Sequence, residues 1–254
     1  MNKKISEIKA EFEAADKVML NELYAKYEKD QRTGVVNLIQ KYKKQEQKLC
    51  MGRERIENMR IYERKYAHFS YICGIDEVGR GPLAGPVVAG AVILPKDCEI
   101  LYLNDSKKLS EKRREELYDE IMEKAIATGI GIVSPARIDE INILQATYEA
   151  MRIAIQQLET EPDLLLNDAV TIPGVTIDQV PIIKGDAKSV SIAAASIIAK
   201  VTRDRLMVQY DDVLPGYGFA SNKGYGSAEH ITALKTLGAT PIHRMSFIKN
   251  FVCD

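Results

Sequence analysis

Residues 71–94 read YICGIDEVGRGPLAGPVVAGAVIL, and this stretch decides the fold of most of the chain. Residues 71–76 and 86–94 are apolar enough to form two strands. The glycines and prolines between them favour a tight connection, so the pattern predicts an antiparallel β-hairpin. Asp76 and Glu77 stand where the first apolar run stops. Because adjacent strand residues point to opposite faces, these carboxylates could share a site only if the chain leaves strand geometry there.

Beyond the hairpin, predicted helices and strands alternate. Ser110 is a candidate N-cap for the helix SEKRREELYDEIMEKAIA. The other predicted elements are strands at residues 129–134, 163–168 and 180–184 and helices at residues 138–158 and 189–210. The last helix is rich in Ala and Ser, small residues that let its backbone approach a sheet closely. This order predicts a mixed sheet with helices on both faces, which is a three-layer α/β body.

The N-terminal part of the chain has a different character. Residues 3–66 read as helices almost without interruption, with one obvious turn at residues 31–34. Residues 1–70 contain 16 basic and 11 acidic residues, whereas the remainder contains 19 and 25. We therefore predict a helical N-terminal extension over residues 1–68 and an α/β domain with a C-terminal helical region over residues 69–254. The basic extension is compatible with a substrate-binding arm, a protein-interaction module or a solvated helix face.

Composition indicates a globular protein without a membrane segment. The 254 residues are 46% hydrophobic and 28% charged, with a formal net charge of −1. The first residues are charged throughout, and the longest apolar runs fall well short of the roughly 18 residues needed to cross a bilayer. We expect a cytoplasmic protein. Its four cysteines show no disulfide or zinc spacing, so free thiols are expected at Cys50, Cys73, Cys98 and Cys253.

Carboxylates recur where predicted strands end. Asp168 closes the strand DLLLND, and Asp186 follows VPIIKG. Together with Asp76 and Glu77 they stand at the carboxyl ends of strands, where open α/β sheets build their sites. Converging carboxylates repel one another unless a hard divalent cation lies between them, and oxygen ligands without Cys or His favour magnesium or manganese. Two such ions can support in-line phosphodiester displacement. The alternative is that these aspartates only begin turns and cap helices.

The surrounding motifs resemble those of ribonuclease HII, the bacterial type 2 ribonuclease H. Six blocks stand in that family's order over about residues 71–247: GIDEVGRGPLAGPVVAGAV, NDSKKLS, LLLNDAV, IIKGDAKSVSIAAASIIAKVTRD, PGYGFASNKGYGSAEH and TPIHRMSF. The sister family, ribonuclease HIII, is similar in the body but has threonine at the arginine of GRG, so Arg80 favours HII. One position departs from the pattern, because Asn167 stands where the family usually has an apolar residue.

The resemblance implies a fold, a metal site and a reaction. The fold would be ribonuclease H-like, a mixed sheet flanked by helices. The catalytic carboxylates, which bind Mg²⁺ or Mn²⁺, would be Asp76, Glu77, Asp168 and Asp186, with two ions in the reacting complex. The implied enzyme hydrolyses the RNA strand of RNA–DNA hybrids and nicks 5′ of single ribonucleotides in duplex DNA, leaving 3′-hydroxyl and 5′-phosphate ends. The implied role is ribonucleotide removal from DNA, and we expect a monomer.

The same resemblance predicts which residues recognise the substrate. Gly79, Arg80 and Gly81 resemble the family's ribose-reading element, and glycine permits the close approach that sensing one 2′-hydroxyl requires. Tyr225 resembles the tyrosine that packs on the sugar at the RNA-to-DNA step. Tyr217 is its rival and is more typical of a core residue.

Other polar residues in the motifs are expected to play smaller parts. Ser106, Lys107 and Lys184 can donate to phosphate oxygens. Structural hydrogen bonds rather than catalysis are expected for His230, His243 and Arg244. Two rival interpretations remain at this point: ribonuclease HIII-like cleavage of long hybrids only, and a non-catalytic nucleic-acid-binding relative that kept the fold.

Overall fold

The computed structural model describes residues 3–251 and has two compact units, one that ends at Arg55 and one that begins at Ile56. The first unit is helical, as predicted. Its helices are α1 (Ile5–Ala14), α2 (Lys17–Tyr27) and most of α3 (Thr33–Met59). Its own core contains Ile8, Phe12, Tyr27, Val35 and Leu38. The domain boundary that the sequence places near residue 68 stays a prediction.

The second unit is built on a five-stranded mixed sheet in the order β3-β2-β1-β4-β5. The strands are β1 (Ile72–Val78), β2 (Val87–Ile93), β3 (Ala127–Val133), β4 (Leu164–Asp168) and β5 (Asp178–Ile182). The predicted hairpin forms, since β1 and β2 pair antiparallel, as do β2 and β3. β1, β4 and β5 run parallel, so their carboxyl ends lie at one edge of the sheet.

Seven helices accompany the sheet in the described part of the second unit. They are α4 (Ile61–Lys65), α5 (Glu111–Lys124), α6 (Pro135–Gln156), α7 (Val190–Val213), α8 (Phe219–Asn222), α9 (Ala228–Leu237) and α10 (Met245–Ile248). Ser110 caps α5 as predicted, because its side chain accepts a hydrogen bond from the Arg113 N–H. Ser189 caps α7 in the same way, through the Ile192 N–H.

The two long helices, α6 and α7, cover opposite faces of the sheet. A Cβ at Gly74 in β1 would lie 2.0 Å from the backbone of Ser191, and one at Gly90 in β2 would lie 2.5 Å from the Ala195 carbonyl. The backbone of α7 therefore approaches β1 and β2 closely, as its small residues predict. Neighbouring β2 residues point the other way, toward the core under α6. Both faces of the central strands are thus buried.

Most predicted boundaries differ from the structure by a few residues, including those of β5 and α6. β5, expected at residues 180–184, ends at Ile182 because Lys184 has a left-handed backbone with φ 58°. α6 begins three residues earlier than predicted, at Pro135, and Asn142 interrupts it with φ 67°. The shift of β5 leaves a turn between the strand and Asp186, which sets where that carboxylate lies.

Two sequence expectations concern the membrane and the thiols. None of the helices in residues 3–251 combines the length and apolar character that a bilayer-spanning segment needs. Cys50, Cys73 and Cys98 are free thiols, as predicted. Burial raises the pKa of the Cys73 thiol to about 12. Cys253 lies outside the described residues.

Candidate active site

The carboxyl ends of the parallel strands bring acidic residues to one edge of the sheet. Asp76 lies two residues before the end of β1, and Asp168 is the last residue of β4. Asp186 lies in a 3-10 turn, Gly185–Ala187, that follows β5. Asp168 Oδ1 accepts a 2.7 Å hydrogen bond from the Gly185 N–H. This bond ties the end of β4 to the turn that carries Asp186.

Glu77 reaches the same edge without the break in strand geometry that the sequence predicts. β1 continues through Asp76 and Glu77 to Val78, and both acids stay paired with β2. The chain leaves the strand only at Gly79, where φ is 89°, which lies in the glycine-rich segment expected to supply the exit. The Glu77 N–H donates a 2.8 Å hydrogen bond to Asp76 Oδ1. The charge of Glu77 also raises the pKa of Asp76, so the two acids interact within a continuous strand.

Burial and neighbouring carboxylates raise the pKa of Asp76, Glu77 and Asp186. Burial raises the pKa of Asp76 well above its ordinary value, and the charges of Glu77 and Asp168 add to the shift. Burial also raises the pKa of Glu77, against the opposing charge of Arg80, whose Nη1 lies 3.2 Å from Glu77 Oε1. The pKa of Asp186 is raised by burial, with a contribution from Asp168. Asp168 therefore lies within electrostatic reach of the other three acids.

A fifth acid, which the sequence reasoning missed, lies beside Asp186. After burial, the charge of Asp105 is the largest influence that raises the pKa of Asp186, and the charge of Lys107 opposes it. Asp105 Oδ1 accepts a 3.0 Å hydrogen bond from the Lys107 N–H, which shapes the 3-10 turn Ser106–Lys108. A signal existed, because Asp105 belongs to the motif NDSKKLS. A loop aspartate with no strand before it, however, does not indicate which edge of the sheet it faces.

Ser106 lies inside the protein and not at its surface. Ser106 is buried, and its Oγ lies 3.0 Å from Ser196 Oγ. The Ser196 hydroxyl opposes the rise in the pKa of Asp76. The role of Ser106 as a phosphate donor stays a prediction. Lys107 and Lys184 are both exposed.

The oxygen atoms at this edge fit a hard divalent cation. Glu77 Oε2 is buried and has no hydrogen-bond partner among the described residues. A buried, unpartnered carboxylate oxygen is unfavourable, and a bound cation removes that penalty. As the side chains stand, no three His, Cys, Asp or Glu residues within 3–251 form a group that could hold an ion. Ligation therefore requires the carboxylates to turn toward one another.

The glycine-rich loop follows β1 directly. Gly79 has φ 89°, and a Cβ there would lie 2.3 Å from Arg203 Nε, whereas a Cβ at Gly81 would meet nothing within 4 Å. The carbonyls of Gly79 and Arg80 accept hydrogen bonds from the buried Arg244. No described residue accepts a hydrogen bond from the N–H groups of Gly79, Arg80 or Gly81. Gly79 is buried, whereas Arg80 and Gly81 are exposed, so the loop keeps two backbone donors available next to Glu77.

The two tyrosines of the C-terminal motifs have different environments. Tyr217 is buried, its ring stacks on Phe219 with centroids 5.2 Å apart, and its hydroxyl donates to the Gly238 carbonyl. Tyr225 is 43% exposed. Tyr217 is therefore part of the core, and Tyr225 is the tyrosine that remains accessible.

His230 and His243 form a buried chain of hydrogen bonds, the structural role expected for them. The Thr240 N–H donates to His243 Nδ1 over 2.9 Å, so His243 carries its proton on Nε2. That proton is donated to His230 Nε2 over 3.0 Å, and His230 Nδ1 donates to the Tyr225 carbonyl over 2.8 Å. Both rings must be neutral for this chain to form, and the chain anchors the segment that carries Tyr225.

Acid should destabilise the protein through His243. Burial, followed by the charge of His230, lowers the pKa of His243 from 6.5 to about 4. As the pH falls, His243 therefore takes up its proton at a higher pH in the unfolded chain than in the folded protein. The stability that depends on a neutral His243 is complete above pH 6.5 and is lost toward pH 4. The free energy of unfolding should fall by about 3 kcal/mol over this range. Urea unfolding at several pH values measures this slope. His243→Gln should flatten it, and an unchanged slope in that variant would contradict the assignment.

Comparison with known proteins assigns both parts of the chain to one family. The family model described as Ribonuclease HII matches residues 73–250, and that of the Ribonuclease HII N-terminal domain matches residues 4–67. A ribonuclease HII of Lachnoclostridium phytofermentans is 69% identical over 98% of this chain and 98% of its own length. A ribonuclease HII of Clostridioides difficile is 51% identical over 99% of each chain. The solved ribonuclease H2 of Pyrococcus horikoshii matches with a TM-score of 0.59 and 27% identity, over 71% of this chain and 96% of that one.

The architecture agrees with these relationships. The five-stranded mixed sheet flanked by helices confirms the predicted ribonuclease H-like fold. Enzymes of the ribonuclease H family act on RNA–DNA hybrids and depend on divalent metal ions. The matches cover nearly the whole chain, so they apply to both of its units. This chain therefore belongs to the ribonuclease HII family and is a ribonuclease H, an endonuclease that hydrolyses phosphodiester bonds.

Proposed function

We propose that this enzyme nicks duplex DNA on the 5′ side of a single embedded ribonucleotide, in addition to hydrolysing the RNA strand of hybrids, and leaves 3′-hydroxyl and 5′-phosphate ends. The observation that carries the proposal is the pair of available backbone donors at the exposed Arg80 and Gly81, in the 79–81 loop directly after the strand of Asp76 and Glu77. One ribonucleotide differs from its neighbours by a single 2′-hydroxyl, which both donates and accepts. Backbone groups beside glycine can approach such a hydroxyl closely.

Four carboxylates are proposed as catalytic ligands of two Mg²⁺ or Mn²⁺ ions: Asp76, Glu77, Asp168 and Asp186. When bound, such ions supply Lewis-acid stabilisation to the reacting phosphodiester. The chain orients most of these acids with separate donors. The Glu77 N–H holds Asp76, Arg80 holds Glu77, and the Gly185 N–H holds Asp168. These donors keep the acids at one edge of the sheet, from which their carboxylates turn to bind the ions.

The remaining substrate contacts are assigned by accessibility. Tyr225, which is exposed, is proposed to pack on the deoxyribose that follows the ribonucleotide, where an added hydroxyl would be excluded. Lys107 and Lys184 are exposed and are proposed to donate to phosphate oxygens. Lys107 is the better candidate, because its charge acts on Asp186. We further propose that the enzyme removes ribonucleotides from DNA as a cytoplasmic monomer.

Ribonuclease HIII-like cleavage of long hybrids only is the alternative. Turnover measured on two duplexes of equal length separates the two functions: one duplex carries a single ribonucleotide, and the other has one strand made entirely of RNA. Our proposal predicts turnover of both substrates. Cleavage of the all-RNA strand without any cleavage of the first duplex would establish the alternative.

The N-terminal unit is proposed to bind the phosphate backbone of the duplex. On α3, the side away from the buried Val35 and Leu38 carries Lys41, Lys44 and Lys48, which are three and four residues apart. All three lysines are exposed, and none forms an ion pair with a described carboxylate. Lysines without carboxylate partners on one helix face are free to neutralise phosphates.

Replacing Lys41, Lys44 and Lys48 with glutamine should weaken the salt dependence of duplex binding. Each lost phosphate contact lowers the slope of log affinity against log salt by about 0.9, so the slope should fall by roughly 2 to 3. Fluorescence anisotropy at several salt concentrations measures it. A triple glutamine variant with the same change in net charge serves as control, at the exposed Lys9, Lys17 and Lys29. Equal slopes in both variants would contradict the proposal and favour a protein-interaction module.

A further inference from the structure

Two fully buried arginines lie beneath the glycine-rich loop. Arg203 in α7 and Arg244 before α10 are both 0% exposed, and neither forms an ion pair with a described carboxylate. Burial lowers the pKa of both guanidinium groups, to about 9 for Arg244. A buried cation without an anion is unfavourable unless its donors are fully used. The use of those donors therefore explains why the fold accommodates the two charges.

Arg203 joins two separate segments of the chain. Its Nε and Nη2 donate to the carbonyls of Pro86 and Ala84, over 2.9 Å and 3.1 Å. Its Nη1 donates over 2.9 Å to the carbonyl of Lys223. Its guanidinium carbon lies 6.0 Å from the centre of the Tyr225 ring. One side chain thus contacts both the end of the glycine-rich loop and the segment that carries Tyr225.

Backbone contacts reinforce this connection. The Gly224 carbonyl accepts hydrogen bonds from the N–H groups of Leu83, over 2.8 Å, and Ala84, over 3.3 Å. A Cβ at Gly224 would lie 2.3 Å from the Ala84 carbonyl oxygen, so only glycine allows the two segments to lie this close. The position of Tyr225 is therefore set relative to the glycine-rich loop and not by its own turn alone.

Arg244 fixes the other end of the loop. Its Nη1 donates over 2.8 Å to the Arg80 carbonyl, its Nε donates over 3.0 Å to the Gly85 carbonyl, and its Nη2 donates to the Gly79 carbonyl. With these carbonyls engaged inside the protein, the orientation of the peptide groups between residues 79 and 81 is determined. The backbone donors of the loop consequently have fixed directions before any substrate binds.

We propose that Arg203, together with Arg244, fixes the spacing between the 79–81 loop and Tyr225 and thereby selects which phosphodiester is cut at an RNA-to-DNA step. This inference rests on the proposed function, in which the loop reads a 2′-hydroxyl and Tyr225 reads the next sugar. The 79–81 loop and Tyr225 can contact adjacent nucleotides only if the distance between them is constant. Displacements near 1 Å can cost about a hundredfold in rate. Both arginines are positioning residues, since they act through the groups that touch the substrate.

The geometry also explains why lysine cannot replace Arg203. Three diverging carbonyls are bound by the three nitrogen atoms of one planar fork. A lysine would keep the charge, but it would present a single nitrogen to acceptors that lie on different segments. Arg203→Lys therefore removes the connection while it retains the buried positive charge.

The test uses a DNA duplex in which one strand contains four consecutive ribonucleotides followed by DNA. Cut positions are mapped under single-turnover conditions. The wild-type enzyme should cut mainly 5′ of the last ribonucleotide, and Arg203→Lys should lower the share of these cuts relative to other positions about tenfold. A merely structural defect reduces the amount of active enzyme and therefore lowers all products equally. The matched control is Arg205→Lys, because Arg205 lies on the same helix, is exposed and pairs with Glu115, and the cut distribution should not change.

A double-mutant cycle with Tyr225→Ala completes the test. If Arg203 acts by positioning Tyr225, Arg203→Lys should have little further effect once the tyrosine ring is absent. Additive effects, or an unchanged cut distribution in folded Arg203→Lys, would overturn the inference. If that variant does not fold, Arg244→Lys decides by the same criteria. Failure of the proposed function is recognised separately, since the wild-type enzyme would then leave a duplex with one ribonucleotide uncut.

Discussion

Asp76→Asn is expected to abolish cleavage and, at pH 7, to make the protein more stable. The loss of rate should be at least about a thousandfold, as for removal of a principal catalytic group. The stability gain follows from the raised pKa of Asp76, which burial causes first and Glu77 second. A carboxyl whose pKa is raised on folding opposes the folded state wherever it must be ionised, so the neutral amide should increase the free energy of unfolding. Single-turnover cleavage and thermal unfolding with chelator present measure the two effects.

The control for this prediction is an aspartate at the opposite end of the same strands. Asp163 Oδ2 accepts hydrogen bonds from the N–H groups of Ser70 and Tyr71, over 3.0 Å and 2.9 Å, before β1 begins. Asp163→Asn should therefore lower stability slightly and leave cleavage intact, the reverse of the effects at Asp76. Retained cleavage by Asp76→Asn with magnesium would contradict the catalytic assignment. Reduced stability of that variant at pH 7 would contradict the electrostatic argument.

Alanine at Gly79 should destabilise the protein strongly, whereas alanine at Gly81 should not. At Gly79, φ is 89° and the new Cβ would lie 2.3 Å from Arg203 Nε and 2.7 Å from the Pro86 carbonyl oxygen. The left-handed backbone costs an L-residue about 1 to 2 kcal/mol and overpacking adds about 1 to 3, so we expect a loss near 3 kcal/mol. Gly81→Ala meets no neighbour, and its stability should stay within about 0.5 kcal/mol of wild type. Urea unfolding of both variants measures the difference.

Binding measurements on the Gly81 variant test whether the Gly81 backbone contacts the ribose of the substrate. If the Gly81 backbone approaches the ribose, a Cβ at this position obstructs the substrate and not the protein. Affinity for a duplex with one ribonucleotide should then fall about tenfold, with a smaller change for an all-DNA duplex. Equal affinities of Gly81→Ala and wild type for the ribonucleotide duplex would show that this glycine does not read the ribose.

Local signals in the sequence were sufficient for the hairpin, the alternation of helices and strands, and the cap Ser110. They also placed Asp168 and Asp186 at one edge, because parallel strands end together. The alternation of side chains along a strand did not indicate that Asp76 and Glu77 would interact within a continuous strand. In the structure the Glu77 N–H donates to Asp76 Oδ1, and the charge of Glu77 raises the pKa of Asp76.

Residues that depend on distant segments could not be found in this way. Arg203 stands in a helical pattern, where an arginine ordinarily indicates an exposed position. Its acceptors are more than a hundred residues earlier in the chain, in the loop after β1, and 20 residues later, at Lys223. The contact of Ser106 with Ser196 could not be found for the same reason, because the two residues lie 90 positions apart. Sequence patterns report local geometry, and these contacts exist only after the sheet has assembled.

The central claim is that the acids at the end of β1 and the loop that follows them together cut beside one ribonucleotide. The most direct measurement maps the nick in a DNA duplex that contains a single ribonucleotide, with identification of both new ends. We expect one cut, on the 5′ side of the ribonucleotide, with a 3′-hydroxyl on the DNA fragment and a 5′-phosphate on the ribonucleotide. A cut on the 3′ side, or no cut in a preparation that hydrolyses long hybrids, would contradict it.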